Sequence, residues 1–409
     1  MITMMERASA LGELPTLQAK LVSTGISGQS FTGMSVAITP GGTRAVVGSP
    51  GIFEGTGIVS VFDQIGSVWT QTATLNAISG VFSLEGFRVA ISATGDTVIT
   101  GDGQFNNLKG VVFVFQKSGN TWSNTFNLTE SDSASGAGLG SDSGITVSLD
   151  SNTIACGRLP TAGNKGGIVV FVRSTGTSWT QHGPRITPSS MTDGSRVGNN
   201  LALSANGSIL AFGAPNDNSA AGSIYVYTRN ASLVWNQKGS AIQVSSGFVF
   251  GKAMCMSADA KIIASTTLSI SPTEAPLHVF VWNGASYALL QSILAPSTAS
   301  TVFGSSTAIS TSGTRLIVGD FQANFRASPK KIFQGAVFVY DRLFGANFSL
   351  VSGNVTTNGL LSSEAIDNYY SHFGRYAIGV SNENHVIVGA FADQNRTGKR
   401  SALTAIVKV

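Results

Sequence analysis

Charge is what this chain has least of. Only 11% of its 409 residues are Asp, Glu, Lys or Arg, about half the share of an ordinary globular protein. The 25 Lys and Arg exceed the 21 Asp and Glu by four, and they are dispersed along the chain, without the basic stripe that nucleic-acid binding requires. Cysteine is nearly missing too. Cys156 and Cys255 fall in different repeats of the sequence, and a bridge needs Cα atoms within about 7 Å, so both are expected to be free thiols. No apolar run approaches the ~20 residues of a transmembrane helix. The amino terminus, MITMMERASALGELP, carries Glu6 and Glu13 and lacks the apolar core of a secretory signal. These absences favour an intracellular or virion-associated protein over a secreted one. The Asn-x-Ser/Thr sequons do not reverse that, because Ser and Thr are abundant throughout. What the chain does have is 48 glycines and 42% hydrophobic residues, enough to build a sizeable core and too many for disorder.

The apolar residues are arranged in a repeat, which implies an array or a propeller. A first segment recurs as GMSVAIT from Gly33, GFRVAIS from Gly86, DSGITVS from Asp142, GNNLALS from Gly198, GKAMCMS from Gly251, GSSTAIS from Gly304 and GRYAIGVS from Gly374. Fifteen residues after each start, a second apolar run ends at Gly48, Gly101, Gly157, Gly213, Thr266, Gly319 and Gly389. A third run is β-branched and aromatic, as in GIVSVF ending at Phe62 or GSIYVY ending at Tyr227, and a fourth opens on an aromatic, as in WTQTATL from Trp69 or WNQKGSAI from Trp235. Four strands per repeat make a blade with two apolar faces, which radial packing buries.

The expected fold is therefore all-β: one seven-bladed β-propeller of four-stranded antiparallel blades occupying residues 1–409. Its blades start near 33, 86, 142, 198, 251, 304 and 374. The last repeat lacks a fourth strand at its own end, and LPTLQAKLVS, residues 14–23, matches TQTATLNAIS in register. These residues are expected to close the ring on the last blade, behind a tail of residues 1–13, and so remove its open edge. The extra chain lies at 320–335 and 351–373.

FGKAMCMS, FGSSTAIS and FGRYAIGVS, with VVGSP at Val46–Pro50 and AFGAP at Ala211–Pro215, resemble the FG-GAP repeat, the blade unit of integrin α-subunit propellers. The resemblance covers nearly the whole chain and implies adhesion or recognition through one propeller face. Integrin-type repeats often carry a calcium loop between the first two strands. Here those connections are contracted to SATGDTV, SANGSIL, SADAKII and similar segments with at most two carboxylates, short of the six to eight oxygens, roughly, that Ca²⁺ takes. They read as tight turns on Gly, Asn and Asp. No metal or other cofactor is expected, and the four histidines show no metal-ligand spacing.

Connections after strands one and three share one face of such a ring, and those after strands two and four share the other. The second set holds all the long, variable sequence, which makes that face the candidate binding surface. Its richest part comes from blades six and seven: Phe321, Phe325, Arg326, Lys330 and Lys331; Tyr369, Tyr370 and His372; and Arg396, Lys399 and Arg400. Aromatic and Arg anchors suit a protein or glycan interface. The plain alternative is a set of solvated loops with Phe321 and Phe325 tucked under the insertion. Trp69, Trp122, Trp179 and Trp235 hold a strict repeat position, which points to blade packing rather than sugar stacking.

No nucleophile elbow, P-loop or dinucleotide glycine pattern occurs in a fitting context. The sequence is therefore read as a non-catalytic recognition or assembly module, with no nucleic-acid partner and no membrane span, of the kind that serves as a structural or surface component of a larger particle such as a virion. The alternatives are a secreted or surface glycan-binding adhesin or lectin, and a hydrolase or lyase working at the channel mouth.

Overall fold

The computed structural model describes residues 16–25, 31–51, 57–76, 85–131, 138–140, 144–160, 165–174, 176–192, 194–198, 200–230, 232, 234–245, 247–267, 276–296, 302–320, 336–343, 346–351, 355–356, 378–381, 385–390 and 403–408. Within them the strands form seven antiparallel sheets, each read outward from strand one to strand four. Blade 1 comprises Ser35–Ile38, Arg44–Ser49, Ile58–Ile65 and Val68–Leu75, and the next five blades repeat that order. In blade 6 a fourth strand at Ser349–Leu350 is followed by Val355–Thr356, which returns to pair with Ala336 and Val337 of strand three.

Blade 7 is built from both ends of the chain. Ile378–Val380, His385–Ala390 and Leu403–Lys408 supply three strands, and Thr16–Leu21 pairs antiparallel with the third, Leu21 facing Thr404 and Thr16 facing Lys408. The ring is closed as expected, and the seam is built like an internal junction. Gln71, two residues into the W-x-Q of blade 1, accepts the Thr24 N–H at 2.8 Å just beyond the closing strand; Gln181 of blade 3 accepts the Ser131 N–H at 3.0 Å just beyond blade 2.

The core lies between blades rather than inside any one of them. Seven apolar clusters each draw on two consecutive blades: Val46, Val59 and Val61 of blade 1 pack with Val98, Val111 and Phe113 of blade 2. At the seam, Leu21, Ile387 and Ile406 pack with Val36, Ala45 and Phe62. A lone blade would leave both its faces wet, so the apolar gain arrives only with its neighbours. The FG phenylalanines belong to these layers: Phe250 and Phe303 are fully buried, Phe303 edge-on to Phe338 with ring centres 5.5 Å apart. The glycine ending strand two marks the closest approach. A Cβ on Gly48 or Gly213 would collide with the carbonyl of Gly86 or Gly251 in the next blade. At the fifth junction Thr266 replaces that glycine and donates its hydroxyl to the Gly304 carbonyl at 2.8 Å.

The constant fifteen-residue offset has a local cause. Strand one runs into a Ser whose side chain locks the turn. Ser257 donates to Asp259 Oδ1 (2.7 Å) and accepts the Ile262 N–H (3.0 Å), while Asp259 Oδ1 accepts the Lys261 N–H (3.0 Å). Ser204 and Asn206 repeat all three bonds in blade 4, and Ser148 and Asp150 repeat them in blade 3. These turns then join blade to blade, Asp150 N–H to Ala205 O, Ala205 N–H to Ala258 O and Ala258 N–H to Thr311 O. The Asp and Asn oxygens of these turns are thus occupied by the chain's own donors.

Candidate functional site

The eleven residues singled out on blades 6 and 7, Phe321, Phe325, Arg326, Lys330, Lys331, Tyr369, Tyr370, His372, Arg396, Lys399 and Arg400, all lie outside the described residues. Their frame is described. Asp320 ends strand two fully buried and faces Ala336 across the ladder, so both ends of that connection lie on the face of the connections after strands two and four, called the loop face below.

The described part of that face is richest across blades 2 to 4. Strand two ends in Ser49, Asp102, Arg158 and Ala214 in blades 1 to 4, in Thr266 in blade 5, and in Asp320 and Ala390 in blades 6 and 7, and blade 3 therefore places an arginine where blade 4 has a methyl group. Arg158 is 1% exposed and lies beside Glu130, 0% exposed, which follows the last strand of blade 2. Arg158 Nε and Glu130 Oε2 are 2.6 Å apart without the alignment of a hydrogen bond, and Arg158 Nη1 is buried with no hydrogen-bonding partner. Arg185 donates to the other oxygen, Oε1, at 2.7 Å. Its aliphatic stem lies over Gly167, whose φ of +153° and missing Cβ make the room. Lys165 reaches the Met191 carbonyl at 2.5 Å, joining the strand-two loop of blade 3 to the connection that leads into blade 4.

Blade 4 anchors the same connection with a carboxylate held by neutral donors. Asp217 accepts the Tyr225 hydroxyl (2.7 Å), the Thr192 N–H and hydroxyl (both 3.1 Å) and the Ser195 hydroxyl (3.3 Å). Burial alone would raise the Asp217 carboxyl, but Tyr225, Thr192 and Ser223 outweigh it, and the group sits below the usual carboxylate range. The Tyr225 phenol is pushed up to about 12, by burial first and then by the bond it donates to Asp217 and that group's charge. This arrangement holds loops in place. Among the described residues no group of three or more His, Cys, Asp and Glu is placed to hold a metal.

The tryptophans pack as their repeat position suggested. Trp179 is buried between blades 2 and 3, Trp69 and Trp122 border the layers on either side of blade 1, and Trp235 borders the layer between blades 3 and 4. Cys156 and Cys255 are both free and buried, and burial pushes both thiols up, Cys255 to about 12.

Sequence reasoning passed over Glu130, Arg158, Arg185 and Asp217. The signal was there in the repeat columns: Arg158 breaks a column of small and acidic residues. Glu85 likewise precedes the opening glycine of its repeat where Thr32, Val197, Phe250, Phe303 and Phe373 precede theirs, and it is fully buried.

The chain matches no protein-family model and no curated protein. Solved structures do resemble it. One is a putative 6-phosphogluconolactonase from Bacteroides uniformis (15% identity, 81% of this chain and 88% of that one, TM-score 0.54). Another is a Kuenenia stuttgartiensis hydrazine synthase (13%, 94% and 98%, TM-score 0.55). A third is the C-terminal WD40 domain of Sif2 (11%, 97% and 99%, TM-score 0.54). At such identities the likeness is one of fold, and the chain is a seven-bladed β-propeller whose similarity to FG-GAP repeats rests on its motifs.

Proposed function

We propose that this propeller is a non-catalytic recognition or assembly module that binds another macromolecule through its loop face. The observation that carries the reading is the division of labour between faces. Turns after strand one repeat one hydrogen-bonded design and consume their own polar groups. On the opposite face, among the described residues, the connections of blades 2 to 4 are anchored differently, by Glu130 with its two arginines and by Asp217 with its four donors. Rigidly held, dissimilar loops on a repetitive scaffold are how recognition surfaces are made. Asp217 and Glu130 are engaged by fixed partners, which suits a structural duty better than acid–base work.

Within that face, the loops of blades 6 and 7 carry the contact residues, with Phe321, Phe325, Tyr369 and Tyr370 as aromatic anchors and Arg326, Lys330, Lys331, Arg396, Lys399 and Arg400 as cations for an acidic partner. The module serves as a component of a larger particle. Cross-linking mass spectrometry on the native source tests this. Reproducible links from Lys330, Lys331 and Lys399 to one other protein are expected. Recovery as a free monomer with those lysines unlinked would overturn the assembly role.

A further inference from the structure

The turn face has an outer rim of its own character. Where strand three ends and strand four begins, blade after blade sets a cation over an aromatic ring. Arg173 lies over Trp179 (5.1 Å from guanidinium carbon to ring centre), Arg229 over Trp235 (5.7 Å) and Arg342 over Phe348 (5.5 Å). Blade 5 has Trp282 in place of the cation, and there Lys238 reaches across from blade 4 to sit 3.6 Å above that ring. The rim of blades 3 to 6 thus carries four cations, one from blade 3, two from blade 4 and one from blade 6, each over an aromatic ring.

Among the described residues none of these four side chains makes an ion pair, and their one polar side-chain contact is Arg173 Nη2 to Thr97 Oγ1 at 3.5 Å. The local sequence offers no carboxylate: residues 173–186, 229–245, 282–296 and 342–352 contain no Asp or Glu. Described carboxylates elsewhere on this face are engaged. Asp63 and Asp341 are paired with Arg44 and Arg315, and Asp96, Asp150 and Asp259 are taken up in turns. The strand-three to strand-four connections also carry bare aliphatic tips: Ile65 and Val68, both 61% exposed, on blade 1, and Val234 and Leu343, both 53% exposed, on blades 4 and 6.

We propose that this rim is a docking surface for an anionic lipid bilayer, lying flat against it and turning the loop face outward. Unpaired cations without local acids call for a negatively charged partner, and aliphatic tips beside basic and aromatic side chains suit the headgroup boundary. The distribution selects a plane. A compact protein epitope gathers its anchors at one centre, whereas these cations come from blades 3, 4 and 6 and the tips from blades 1, 4 and 6, spread around one face of the ring.

The test is sedimentation of the full chain with phosphatidylcholine vesicles and with vesicles of equal parts phosphatidylcholine and phosphatidylserine. Pelleting is expected with the anionic vesicles only, and it should fade at high salt. Arg229→Gln with Lys238→Gln should weaken partitioning about tenfold or more. Val234→Ser with Leu343→Ser, at side chains that are mostly in solvent, should weaken it too with unchanged melting temperature, which covers the case that the charge variants unfold. Equal pelleting with neutral vesicles, or none with either at low salt, would overturn the proposal. So would retention on immobilised polyglutamate without vesicle binding, which would make the partner an acidic protein surface.

Discussion

On the turn face, Ser257 and Asp259 of blade 5 make the same three hydrogen bonds as Ser204 and Asn206 of blade 4. On the loop face, the equivalent strand ends of blades 3 and 4 are Arg158 and Ala214, with neither chemistry nor partners in common. A propeller needs one set of positions to be interchangeable so that every blade closes at the same angle. It needs another to be free to differ, because seven identical loops would offer a partner nothing to choose between.

The comparison can be broken at several depths. Removing residues 1–23 should have the largest effect, since it takes Thr16–Leu21 from Leu403–Lys408 and exposes a strand edge and an apolar layer. Misfolding or oligomerisation is expected by size-exclusion chromatography, and a monomer with unchanged melting would refute closure by this strand. Next, Glu130→Gln should leave Arg158 buried without its counter-charge and cost about 3–5 kcal/mol in denaturant unfolding. A loss no larger than that of a surface change would mean the cluster is already solvated.

Tyr225→Phe removes one donor from Asp217 and should cost about 1.5–3 kcal/mol. The loss should shrink in acid. The Asp217 carboxyl is held below its ordinary value, so the stability it contributes is complete above the unfolded pKa of 3.8 and disappears as pH falls through the folded one. His278 adds an acid sensitivity nearer neutrality. Burial lowers its pKa from 6.5, so the unfolded chain takes up a proton that the folded chain refuses. Its contribution is full above pH 6.5 and is lost as pH falls toward the folded value. The same strand position holds Phe113 and Phe338 in blades 2 and 6. His278→Phe should therefore flatten melting temperature against pH between about 5 and 7. His385, also lowered, by burial first and then by Lys408, contributes to the slope that remains. Ser257→Ala should have the smallest effect, about 0.5–1.5 kcal/mol, and Ser204→Ala should match it within error. Unequal losses would show that the turns are not interchangeable.

The blade number, the four strands in each and the seam were all legible in the residues. The glycine column was read only as the constant end of strand two; the close backbone approach between Gly48 and Gly86 and the clip that W-T-Q marks at Gln71 and Gln181 were not read from it. The loop-face anchors were not read. Glu130, Arg158 and Arg185 belong to three separate segments, and nothing local to any one of them says that the other two are near.

By itself the sequence determined everything with a short period: alternation along the strands, the Ser and Asx locks of the turns, the aromatic opening of strand four. Pleat and turn geometry act within a few residues, so a repeated pattern dictates a repeated blade. Only the tertiary structure decided which side chains meet between blades: Lys238 over Trp282, Arg158 against Glu130, Thr192 on Asp217. Those meetings depend on how far each blade turns relative to its neighbour, and that angle is set by packing of whole apolar layers rather than by any local stretch of chain.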